Sequence, residues 1–133
     1  MNIKNNLPIS FEECCRLKGK DPSFKLSIPG LTERELASQQ ALYEWGIIRD
    51  AINGDWKEDL ITDSQFKYEP YGILIEDQTK ETGFGFSNTD YGYSYSITGV
   101  GSRLASFETY EKALHAIRTF EQYFIRVLIQ NQK

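Results

Sequence analysis

The sequence predicts an α+β fold: an antiparallel sheet of three to four strands packed on one face by two long helices, with a short N-terminal helix at its edge. Three observations predict it. Apolar residues recur at spacings of three and four before residue 60 and again after residue 108. Between them, residues 66–107 are rich in aromatic residues and punctuated by glycine. The connections within that stretch are of hairpin length, which requires antiparallel pairing. At 133 residues and 40% apolar, the chain is expected to fold as one domain over residues 1–133.

The first helix, 11–18, opens on a capping box, Ser10 with Glu13, and buries Phe11, Cys14 and Cys15 before stopping at Gly19. Residues 23–31 read as an extended connector whose Phe24, Leu26, Ile28 and Leu31 lie against the domain. A second capping box, Thr32 with Glu35, starts the helix at 33–53. Its stripe is Ala37, Ala41, Trp45, Ile48 and Ile52, and Asn53-Gly54 closes it. A β-meander follows at 66–107. Residues 66–76 form a strand that Pro70 confines to an edge or a bulge, and residues 77–82 form a polar loop. GFGFS and YGYSYSIT are expected to pair as a hairpin around Asn88-Thr89-Asp90. GVGSRLASF is a turn into another strand, and Thr109 or Ser106 caps a helix at 109–130 with the stripe Ala113, Ala116, Ile117, Phe120, Phe124, Val127 and Leu128.

The charge balance narrows the partner classes. Net charge is −4, and residues 63–107 hold three basic against six acidic residues. Proteins that bind nucleic acid by neutralising phosphates carry a basic surplus or stripe, so nucleic acid is disfavoured as the main partner. Cys14 and Cys15 are the only cysteines, and neighbouring cysteines rarely bridge. With one histidine, His115, and no Cys-x-x-Cys pair, no zinc site of ordinary spacing can be assembled, and no cofactor is expected. The N-terminus lacks the apolar run of a signal peptide, and no stretch approaches the roughly 20 apolar residues of a membrane span, so a cytoplasmic location is expected.

No catalytic constellation stands out. GFGF and GVGSR lack phosphate-loop spacing. His115 has no nucleophile or carboxylate placed beside it by a recognisable motif, and Asp55, Glu58 and Asp59 lack the spacing of a calcium loop. The aromatic cluster of the middle stretch is the remaining candidate. Alternation puts Tyr91, Tyr93 and Tyr95 on one face, and tyrosines supply large contact area at low entropic cost. Arg103, in the GSRL turn, is a candidate for pairing with a buried carboxylate or for an anion contact. Together with Trp56, these four residues are the expected interaction site.

The runs ALYEWGIIRDAINGDWKEDL, KYEPYG, GFGFS and SITGVGSRLASFETYEKALHAI resemble an uncharacterised family of small proteins of phages, prophages and mobile elements of gut bacteria. The resemblance covers roughly residues 10–125, and Gly101-Ser102-Arg103-Leu104 is its most specific part. This chain departs from the pattern at Ile52, where Leu is usual, at Glu58, where Pro is usual, and at Ser106, near a common Cys. The resemblance implies a mobile-element origin and carries over no functional residue. The expected function is a non-enzymatic accessory protein that binds another protein or its own copy. The alternatives are a nucleic-acid-associated module on the aromatic sheet face and a small enzyme of unrecognised type.

Overall fold

A computed structural model describes residues 6–56, 67–87, 92–96 and 106–130. Among them are four helices, α1 (Phe11–Lys18), α2 (Glu33–Asn53), α3 (Tyr110–Thr119) and α4 (Glu121–Gln130), and four strands, β1 (Lys67–Tyr71), β2 (Leu74–Glu76), β3 (Phe84–Phe86) and β4 (Gly92–Ser96). The α+β class stands.

The helix starts are local chemistry. The Thr32 hydroxyl accepts the Glu35 N–H at 3.1 Å while the Glu35 carboxylate accepts the Thr32 N–H at 2.8 Å, the full reciprocal box. Ser10 caps α1 in the same way, but its Glu13 reaches one residue further back, to the Ile9 N–H at 2.8 Å. Thr109 caps α3 through the Lys112 N–H. Gly19, at φ 68°, ends α1 in the left-handed region that an L side chain resists.

Three features differ from the sequence reading. The helix expected over 109–130 is two helices, joined at Phe120 with φ −118° and ψ 34°. Phe120 keeps both of its own backbone bonds at the break: its N–H donates to Ala116 and its carbonyl accepts from Phe124. It re-aims α4 so that Glu121 and Gln122 reach β3. The second difference concerns α2, which contacts α1, α3 and α4, whereas the strands are met by α3 and α4. Aromatic stacking explains that order: Trp45 of α2 stacks on Phe124 of α4 at 4.7 Å, and Phe124 meets Phe86 of β3 at 6.1 Å. Within α2 the buried stripe begins at Ala41, with Ala37 exposed.

The third difference is the strand pairing. In place of one sheet of three to four strands there are two antiparallel ladders among the described residues, β1 with β4 and β2 with β3. GFGFS therefore pairs back with β2, not across Asn88–Asp90 with β4, and residues 88–90 lie outside the described residues. The registers explain the split. Tyr71 faces Gly92 and Leu74 faces Phe86, so two residues on one arm stand against five on the other, a mismatch that no continuous ladder accommodates. Gly72 lies in the short arm, and a Cβ there would meet the Phe86 ring at 2.5 Å. Pro70 is tolerated by the same alternation: Tyr68 exchanges both backbone bonds with Phe107 on the side away from β4, and Pro70 points its missing N–H to that side. Of the further strand expected near 99–107, residues 99–105 lie outside the described residues, and Phe107 forms an isolated bridge with Tyr68.

The core runs between the helices and the hairpin through Phe11, Trp45, Ile48, Phe107, Ile117 and Phe124. The connector at 23–31 is only partly applied to it, with Leu26 half-buried and Phe24 and Ile28 exposed.

Candidate functional site

The β2–β3 hairpin has two edges that are treated differently. Bonds from Asp77 N–H to Gly83 and from Ser87 N–H to Ile73 set the alternation, so Phe84 and Phe86 turn their backbone groups away from β2. Side chains of α4 satisfy them. The Glu121 carboxylate accepts the Phe86 N–H at 3.0 Å, and the Gln122 amide donates to the Phe84 carbonyl at 3.0 Å while accepting from the Thr82 N–H at 3.0 Å. The β3 edge is thereby closed without another strand.

The β2 edge has no such cover. Leu74 and Glu76 turn their N–H and C=O groups outward, and no described residue bonds them. Ile73 and Ile75 beside them are 57% and 46% exposed. Gly85 stands opposite Ile75, so no cross-strand side chain covers that isoleucine. An unpaired edge bearing exposed β-branched residues is a template for another strand. Glu76 and Asp77 end this edge, and the Thr79 hydroxyl at 2.6 Å and N–H at 3.0 Å hold the Asp77 carboxyl below its usual range.

A second feature is a groove of about 460 Å³ between α1, the connector, α2 and α4. At its floor Glu44, 7% exposed, accepts from Gln40 at 2.9 Å and lies 3.5 Å from both Lys25 Nζ and Arg126 Nη1. The Arg126 Nε donates to Glu81 at 2.8 Å, and its guanidinium sits 4.6 Å over the Tyr123 ring. Burial, more than any charge, raises the Tyr123 phenol above its usual range. Gln40 also grips the connector, accepting from the Leu26 N–H at 2.8 Å and donating to the Phe24 carbonyl at 3.1 Å. The charged groups on this floor are already matched to one another, so its chemistry is that of a brace joining α2, α4 and the hairpin tip.

The residues singled out from sequence are scattered. Tyr93 and Tyr95 lie on β4 opposite Pro70 and Tyr68, and their side chains are outside what the structure describes. Tyr91, Arg103, Glu58 and Asp59 lie outside the described residues altogether. Trp56 is half-buried just past α2, its backbone N–H donating to Asn53. The His115 Nε2 is 2.6 Å from the Pro8 carbonyl, which makes that nitrogen the protonated one and ties the N-terminal segment to α3. Burial pushes the Cys14 thiol up to about 12 and raises Cys15 as well, so neither is a thiolate near neutrality. Sequence reasoning missed Ile73, Ile75, Glu121 and Gln122. No signal marked the first two, because an apolar run such as GILI is equally the pattern of a strand buried on both faces.

Compared with models of protein families, with curated proteins and with solved structures, the chain matches none. Among the described residues no helix is long and apolar enough to cross a membrane.

Proposed function

We propose that this chain is a non-enzymatic accessory protein that works by binding another protein through the open edge of β2. The observation that carries the reading is the contrast within one hairpin, in which β3 is closed by Glu121 and Gln122 while the outward backbone groups of β2, beside exposed Ile73 and Ile75, are unbonded among the described residues. Strand addition supplies affinity through main-chain bonds and specificity through alternate side chains. The resemblance to small proteins of phages and mobile elements fits an accessory role and makes the host cell cytoplasm the expected setting. The test compares the wild-type chain with an Ile73→Lys/Ile75→Lys variant as bait in host lysate, after circular dichroism shows equal folding. Charges on an edge strand block strand addition, so a protein captured by the wild type is expected to be lost from the variant. Equal capture by both would remove the edge from the mechanism.

A further inference from the structure

Resting on that reading, we infer that the β2 edge takes an extended segment running antiparallel to it, cationic at the two positions facing Asp77 and Glu76 and apolar at the two facing Ile75 and Ile73. Leu74 and Glu76 provide the outward donors and acceptors, so an incoming strand bonds at two alternate residues and lays its side chains beside those of β2. The exposed isoleucines select apolar neighbours on one face, since Gly85 leaves the far side of Ile75 open.

The charge preference follows from which ions are already engaged. Around the hairpin tip, Lys80 lies 3.4 Å from Glu121, and Arg126 holds both Glu81 and Glu44. Glu76 has no ion-pair partner among the described residues, and the Asp77 carboxylate accepts from the Thr79 hydroxyl and N–H, which hold it ionised with a smaller contribution from the Lys80 charge that pairs with Glu121. The end of the edge is therefore anionic with its local cations spoken for. A second copy is a poor occupant, because it offers residues 72–77, Gly-Ile-Leu-Ile-Glu-Asp, with no cation to meet those carboxylates, on a chain of net charge −4.

The experiment is fluorescence anisotropy of the full chain with fluorescein-labelled Lys-Lys-Val-Thr-Val-Thr. Two control peptides accompany it: Glu-Glu-Val-Thr-Val-Thr, and Lys-Lys-Val-Pro-Val-Thr, in which Pro removes the N–H facing Leu74. The first peptide is expected to bind about tenfold more tightly than either control, about 1.4 kcal/mol, and to weaken with added salt. Glu76→Lys is expected to move the preference toward the Glu-Glu peptide, a reversal that loss of folding does not produce. Equal binding of the two charge types, equal binding of the Pro peptide, or a dimer abolished by Ile73→Lys/Ile75→Lys overturns the inference. If no peptide binds but the double lysine variant still loses its lysate partner, the inferred chemistry is wrong and the protein-binding reading survives. If the variant keeps that partner, the reading itself fails.

Discussion

Replacing Asn53 by Ala tests the clamp that joins the end of α2 to the segment entering α3. Asn53 is 4% exposed; its Nδ2 donates to the Ser106 carbonyl at 3.0 Å and its Oδ1 accepts the Glu108 N–H at 3.1 Å. The substitution takes one bond from each partner. Ser106 is fully buried, so losing this bond costs about 1–3 kcal/mol, whereas Glu108 is exposed and its N–H rehydrates for about 1 kcal/mol. Alanine returns about half a kcal/mol of helix propensity, which leaves a net loss of about 1.5–3.5 kcal/mol. At roughly 3–5 °C per kcal/mol for a chain of this size, Tm falls by about 10 °C. Urea unfolding followed by tryptophan fluorescence, with buried Trp45 as a reporter, should give an unchanged slope and a lower midpoint. The Asn53→Asp variant keeps the acceptor but sets a carboxylate against the Ser106 carbonyl. Its folded-state pKa is then raised, so its deficit is smallest at acid pH and grows as the new carboxylate ionises. A loss below about 0.5 kcal/mol for Asn53→Ala would refute the clamp.

Three further outcomes are expected. Cys14 ionises near 9.0 when unfolded and about 12 when folded, so the folded-state pKa is the raised one; stability is complete below pH 9 and declines toward pH 12, at up to about 1.4 kcal/mol per unit, and urea midpoints for Cys14→Ala should lose most of that slope. Glu121→Ala leaves the Phe86 N–H without its acceptor and should cost about 1–2 kcal/mol, with faster hydrogen exchange at Phe86, whereas Glu121→Gln keeps an acceptor and retains most of the protection. Arg126→Ala leaves buried Glu44 to Lys25 and Gln40 alone and removes the cation over Tyr123; about 1–3 kcal/mol should be lost, read as a lower thermal midpoint, and Arg126→Lys should recover only part of it.

What was legible in this sequence was chemistry spanning three or four residues. The capping pairs at Ser10 and Thr32, the Thr109 cap and the glycine stops lie within one turn of the groups they satisfy, and the buried faces follow the helical period from Phe11 to Val127. Periodicity also marked the strands. It could not assign their partners, because the mismatch of two against five residues between the ladders is a property of a pair of segments and is written in neither alone. The break at Phe120 was invisible for a related reason: neither Pro nor Gly causes it, and the apolar stripe runs through it without interruption.

The bonds that decide the edges are longer-ranged still. Glu121 to Phe86 spans 35 residues and Gln122 to Thr82 spans 40. Read in sequence, Glu121 and Gln122 are ordinary polar residues in the first turn of a helix. Folded, they do the work of a neighbouring strand for β3. That substitution has a consequence for β2. A hairpin with both edges open invites indiscriminate pairing, and one with both edges closed offers no backbone to a partner. Closing β3 with two side chains leaves one open edge among the described residues, and in the proposed binding mode the isoleucines set the register of an incoming strand and Glu76 and Asp77 its charge. Unsealing β3 should therefore do more than destabilise the hairpin. The Glu121→Ala/Gln122→Ala variant is expected to gain a second, less selective mode of strand pairing, seen as concentration-dependent self-association that Ile73→Lys/Ile75→Lys does not suppress. If the sealed and unsealed chains associate equally at every concentration, the two side chains serve stability alone, and the asymmetry between the edges carries no information about binding.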